Sequence, residues 1–123
     1  MKKQLLILIC LFVSFEVKSE SDNLSGKQLI CESPNKILGY KFLKNFKVKI
    51  IRIEKHRGTM TDYTTGYSTN PAEIFVGDNI IINRLNLKIN TASDCSIIKD
   101  EFESYINDKL EKVINQIKSK QKI

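Results

Sequence analysis

The stretch "FKVKIIRIEKH", residues 46–56, decides how the chain folds. Phe46, Val48 and Ile50 alternate with Lys47 and Lys49, the period-two pattern of a strand with one face in a core. At Ile50–Ile51 the phase changes, and Ile51 and Ile53 continue the apolar set on the opposite parity. A β-bulge produces such a shift, because one extra residue returns the apolar side chains to the core side. The pattern therefore predicts a bulge or sharp bend at Ile50–Ile51. A strand buried on both faces also fits, and Lys47, Lys49 and Lys55 argue against it.

Working outward, the neighbouring segments repeat the strand signature. Upstream, "QLICE" (28–32) is broken at Pro34, and "KILGYKFL" (36–43) follows with Ile37, Tyr40 and Phe42 as core residues. Lys44 and Asn45 supply a tight hairpin into the deciding stretch. Downstream, Arg57 and Gly58 turn the chain into "TMTDYTTGYST" (59–69), whose Thr and Tyr favour sheet positions. Asn70–Pro71 ends it, since proline cannot donate to a ladder. "AEIFV" and "IIIN" flank Gly77–Asp78, a hairpin signal. In "RLNLKIN" (84–90), Leu85, Leu87 and Ile89 alternate inward; residues 80–90 form either one long strand or a second hairpin at Asn83–Arg84. Short strands spaced by about 8–12 residues with turn signals between them indicate a small antiparallel sandwich or barrel.

After Cys95 the period becomes helical. Phe102, Tyr105 or Ile106, Leu110, Val113 and Ile117 recur at three- and four-residue steps and line one stripe. Asp100 followed by Glu103 suggests an N-cap with a capping box, and Lys118, Lys120 and Lys122 suit the negative end of a helix over about 101–119. The expected fold is mainly β (α+β): an antiparallel meander of six or seven strands over 28–97, forming a sandwich or barrel, with one amphipathic helix within 98–123. If the stripe packs on the sheet, it covers an open side. If it does not, it drives self-association.

The N-terminus carries Lys2 and Lys3, then eleven residues from Leu5 to Phe15 that are almost all apolar. That is short of the about 20 residues a membrane-spanning helix needs and matches a secretory signal peptide, with cleavage expected after Ser19. Residues 20–27, "ESDNLSGK", form a flexible lead-in. A periplasmic or secreted chain follows, touching a membrane only through that segment if it stays uncleaved. Cleavage removes Cys10 and leaves Cys31 and Cys95, 64 residues apart, to form one disulfide in an oxidising compartment. Closing such a loop stabilises a fold by about 4 kcal/mol in the chain-entropy picture. With Cys31 on the first strand and Cys95 just after the last, the bond clasps the two ends of the sheet.

Charge and side-chain chemistry exclude more than they assign. The formal charge of +6 falls on loss of Lys2, Lys3, Lys18 and Glu16, which leaves 17 basic and 13 acidic side chains. Such a modest excess does not specify nucleic acid. Lys41, Lys44, Lys47, Lys49, Arg52, Lys55 and Arg57 form the densest basic stretch. They either make a positive patch beside Tyr40 and Phe42 or protect edge strands from pairing, and the second reading is preferred. Tyr63 and Tyr67 with their threonines suit an adaptable contact surface. His56 is the single histidine, and no cluster of thiol and acidic side chains accompanies it to complete a metal site of three or four ligands. Asp62, Glu73, Asp78 and Asp94 are scattered over strands and turns, and no nucleophile motif accompanies them. No catalytic residue, metal ligand or cofactor is assigned. The expectation is a monomeric, non-enzymatic binding module whose partner is an envelope protein or glycan.

The signal segment, "LIC" at 29–31, the strands between, and "SDCSII" at 93–98 together resemble exported bacterial inhibitors of C-type lysozyme. The resemblance covers about residues 28–97. It implies a small β-barrel whose first and last strands are joined by a disulfide, and a muramidase as the partner. The Ser-Gly-containing loop by which such inhibitors reach the enzyme's cleft has "TTGYS" (64–68) as its nearest counterpart, and the C-terminal helix lies outside the family pattern. "IIINRLNL" (80–87) also resembles a hairpin common in small exported bacterial proteins.

Overall fold

The computed structural model describes residues 22–90 and 93–123, so the expected signal segment, residues 1–19, lies outside the described residues. Seven strands form one antiparallel sheet: β1 (Gln28–Glu32), β2 (Lys36–Leu43), β3 (Lys47–Glu54), β4 (Thr59–Thr69), β5 (Glu73–Val76), β6 (Ile80–Asn83) and β7 (Asp94–Ile97). Among the described residues one helix, α1 (Phe102–Ser119), follows. The spatial order β6-β5-β4-β3-β2-β1-β7 is a six-strand meander with β7 returned to the outer side of β1. The sheet curls into a half-barrel. Residues 87–90 then connect its two outer strands, through bridges Ile82↔Ile89 and Lys88↔Asp94. Asn83 N–H donates to Lys88 O at 2.8 Å, and Cys95 N–H donates to Leu87 O at 2.8 Å.

The phase change at Ile50–Ile51 is not a bulge. β3 pairs without interruption with β2, from Lys47↔Leu43 to Glu54↔Lys36, and with β4, from Lys47↔Gly66 to Glu54↔Thr59. The strand is buried on both faces instead. Val48 and Ile50 join the interior of the barrel with Leu29, Tyr40, Phe42, Ile74 and Val76. Ile51 and Ile53 face the other way and pack with Ile37 against Phe102, Ile106 and Val113 of α1. The lysines that argued against this arrangement share the helix side but lie beyond its apolar centre. Lys49 Nζ reaches Glu103 Oε1 at 3.8 Å and Lys41 Nζ reaches Glu103 Oε2 at 3.5 Å, at the first turn of the helix. The helical stripe thus covers its own sheet.

Gly39 permits that close packing. A Cβ there would lie 2.7 Å from Ile106 Cδ1 and 3.1 Å from Phe102 Cζ. At the N-terminus of α1 the cap is Glu101, one residue later than expected. Its carboxylate accepts the Ser104 N–H at 2.7 Å, which satisfies one of the helix's orphan donors. That bond to the Ser104 backbone holds the Glu101 carboxyl down at about 2, with the Ser104 side chain adding to the shift. Among the described residues no helix is long and apolar enough to cross a membrane.

Three local expectations change. Phe46 leaves the core because Asn45 and Phe46 both take positive φ, 61° and 55°, in the turn between β2 and β3; its ring packs 5.6 Å from that of Tyr67. Leu85 does not point inward: β6 stops at Asn83, whose side chain accepts the N–H groups of Leu85 and Asn86, and Leu85 is 81 % exposed. Such an Asx turn competes with strand continuation, which favours the hairpin alternative at Asn83–Arg84. Cys95 lies inside a strand, β7, rather than after the last one. Residues 22–27, expected to be a flexible lead-in, are hydrogen-bonded to the sheet: Leu24 N–H donates to the Tyr67 hydroxyl at 2.8 Å and Gly26 N–H to Phe42 O at 2.9 Å.

Candidate functional site: the open edge of the fourth strand

β4 is eleven residues long and β5 only four, and this mismatch creates the site. β3 lies along β4 from Thr59 to Gly66. On the other side, β5 covers only Tyr67, Ser68 and Thr69. β5 ends where Gly77, at φ 59°, turns away after donating its N–H to Gly66 O at 3.0 Å. Among the described residues, nothing pairs with the outer side of β4 from Thr59 to Thr65.

The direction of the unpaired groups follows from alternation. Gly66 O points to the β5 side, whereas Tyr67 N–H points to the opposite side and donates to Phe46 O at 3.0 Å. In an antiparallel ladder successive residues alternate in this way. The N–H and C=O groups of Met60, Asp62 and Thr64 therefore face outward. The side chains of Thr61, Tyr63 and Thr65 lie on the barrel-interior side of the sheet and those of Met60, Asp62 and Thr64 on the helix side. Met60 is 42 % exposed and Tyr63 53 %. At one end of the edge, Tyr63, Thr65, Val76, Gly77 and Asp78 border a polar hollow of about 270 Å³.

Asp62 is the one charged residue on this segment. It meets Lys49 Nζ at 3.8 Å, and Lys49 also meets Glu103. The chain of charges Asp62–Lys49–Glu103–Lys41 runs from the edge to the helix and is partly exposed, so each link contributes little stability. Between Thr59 and Thr65 there is no lysine, arginine or proline, the residues by which edges are ordinarily blunted.

The other singled-out residues are dispersed. Cys31 and Cys95 are bonded; they stand directly opposite each other across β1 and β7, with Cα atoms 4.0 Å apart. The basic stretch does not form a patch beside Tyr40 and Phe42, because both aromatics are buried in the barrel. Nor does it guard edges, since β2 and β3 are interior strands. Lys41, Lys49, Arg52 and Lys55 are instead engaged with Glu103, Asp62, Glu54 and Glu32. His56 Nε2 is 3.0 Å from Asn35 Oδ1 in an exposed pair. Glu73 accepts from Asn70 Nδ2 at 3.2 Å. Among the described residues no group of three His, Cys, Asp or Glu side chains is placed to hold a metal ion. The tyrosines of the expected contact surface part company: Tyr67 is buried, packed edge-to-face on Phe42 at 4.9 Å, and Tyr63 stays on the surface. "TTGYS" (64–68) belongs to β4 rather than to a loop.

Comparison with protein families, curated proteins and solved structures finds no match.

Sequence reasoning did not single out Met60 and Thr64. The available signal was a contrast: two lysine-rich strands followed by a long strand with none. It becomes legible only when the shortness of β5 is known.

Proposed function

We propose that the chain is a small, non-enzymatic exported binding module that takes an extended segment of a protein partner onto the open edge of β4. The observation that carries this reading is the run of outward N–H and C=O groups on Met60, Asp62 and Thr64, on an edge that carries no lysine, arginine or proline. Strand addition draws affinity from such main-chain groups and selectivity from alternate side chains. Each hydrogen bond made contributes about 0.5–1.5 kcal/mol net, so a partner of matching length gains a useful total from the edge alone. The Cys31–Cys95 bond suits an oxidising compartment and so supports a partner met in the cell envelope or outside the cell.

The test uses Thr64→Pro. The Thr64 N–H faces outward, so proline there blocks an incoming strand without removing a β3–β4 ladder bond. The variant should keep the wild-type melting temperature within a few degrees and lose an envelope protein that the wild type retains. In that complex, amide exchange should slow at residues 60, 62 and 64 and not at 61 and 63. A complex that leaves those amides unprotected would sink the reading. Protection that depends only on the protein's own concentration would assign the edge to a second copy and also set the reading aside.

A narrower reading is favoured by one observation. The disulfide joins β1 to β7, the first and last strands, the arrangement the resemblance to lysozyme inhibitors implies. It predicts direct inhibition of a C-type muramidase, and tight binding without inhibition counts against it.

A further inference from the structure

Away from the β4 edge, the mouth of the half-barrel holds a cleft of about 190 Å³. Its floor is the interior core: Leu29, Phe42 and Ile74 are buried and belong to one cluster. Its walls are Leu24, Leu87 and Ile97, and Ile97 is left 61 % exposed. Barrel mouths are a usual place for small-molecule sites, which combine an apolar lining with a few placed polar groups.

One wall is held in place before any ligand arrives. Residues 22–26 lie across the mouth, anchored where Asp22 N–H donates to Thr69 Oγ1 at 2.7 Å and Leu24 N–H donates to Tyr67 at 2.8 Å. Arg84 fixes the same segment: its Nη1 donates to Asp22 Oδ2 at 2.9 Å and to Asn70 O at 2.8 Å, so its charge is already answered. Gln28 is likewise committed, donating to Asp100 O at 2.8 Å. Lys27 differs. It lines the cleft, it is exposed, and among the described residues no carboxylate forms an ion pair with it. An apolar hollow bordered by an ammonium group that no described carboxylate pairs is complementary to an apolar chain ending in one negative charge.

We infer that this cleft binds a small, freely diffusing amphipathic anion, its apolar chain among Leu29, Phe42, Ile74 and Leu87 and its carboxylate-class head group at Lys27. Affinity should rise about fourfold per methylene buried, until the chain fills the cleft. The site is independent of the β4 edge, so either can fail without the other.

The experiment is an amide-resolved NMR titration of the disulfide-bonded protein with butanoate, hexanoate, octanoate and uncharged 1-octanol. Octanoate should perturb the amides of Leu29, Phe42, Ile74 and Leu87 and bind more tightly than butanoate and 1-octanol. Lys27→Met should weaken octanoate about tenfold, the worth of one charge-assisted contact, and leave 1-octanol unchanged. Ile97→Trp, at an exposed position that need not disturb the core, should occlude the mouth and abolish binding. Perturbations scattered over the surface, equal binding of octanoate and 1-octanol, or no binding would each overturn the inference. So would binding to vesicles of anionic phospholipid without binding to octanoate, which would move the site from a free anion to a lipid surface.

Discussion

Gly39 of β2 and Ile106 of α1 meet so closely that a methyl group on the glycine would lie 2.7 Å from Ile106 Cδ1. The helix can sit this low because β2 presents no side chain at that point, between Ile37 of the same strand and Ile51 of β3 across the pair.

Gly39→Ala should therefore destabilise the fold by about 1–3 kcal/mol through overpacking, although alanine has the higher strand and helix preference. Ile106→Val alone should cost about 0.5–1.5 kcal/mol by removing the Cδ1 methyl. Combined, the two changes should cost less than their sum, because the removed methyl makes room for the added one. Urea unfolding of the four members of this cycle gives the coupling directly. Strict additivity would mean that the helix does not rest on Gly39.

That contact also explains what the sequence could and could not convey. The apolar run Ile51–Ile53 and the stripe Phe102–Ile106–Val113 are two halves of one interface, and both were visible as patterns. A period-two string cannot distinguish an inserted residue from a strand with a second buried face, and Lys47, Lys49 and Lys55 by themselves favour a bulge. The information that resolves it, that Glu103 receives Lys41 and Lys49, lies more than fifty residues away. β7 was harder still. "DCSI" is four residues long, largely exposed, and becomes a strand through pairing with β1 and bonding to Cys31. The β4 edge depended on where a different strand stops, which no local pattern encodes.

The disulfide makes a prediction that follows from its register. Cys31 and Cys95 are paired residues of β1 and β7, and residues 87–90 lean on β7 in turn. Replacing both cysteines with serine should lower stability by about 4 kcal/mol, reduced by any structure left in the unfolded chain. Amide exchange should accelerate first in β7 and residues 87–90, with the β2–β3–β4 ladder still protected. Uniform acceleration across the sheet would mean that the bond stabilises only the whole fold and clasps no particular end. In the wild type, both thiols should resist alkylation until a reductant is added.

Tyr40 carries the remaining prediction. Its side chain is fully buried in the barrel, and among the described residues its hydroxyl has no hydrogen-bond partner. An unsatisfied buried hydroxyl costs free energy that a phenyl ring does not, so Tyr40→Phe should leave the fold as stable or stabilise it by about 1 kcal/mol. Burial, with a smaller contribution from Tyr63, also pushes the Tyr40 hydroxyl well above its ordinary value of 10.0. The folded chain then keeps a proton that the unfolded chain releases above about pH 10, so stability falls with rising pH in that range. Tyr40→Phe removes that slope and leaves the neutral-pH side of the profile parallel to wild type. Melting temperatures of the two proteins between pH 8 and pH 11 on the order of half-unit steps would show it. If the two curves stay parallel through the alkaline limb, the hydroxyl is hydrated in solution and the barrel interior admits water at Tyr40.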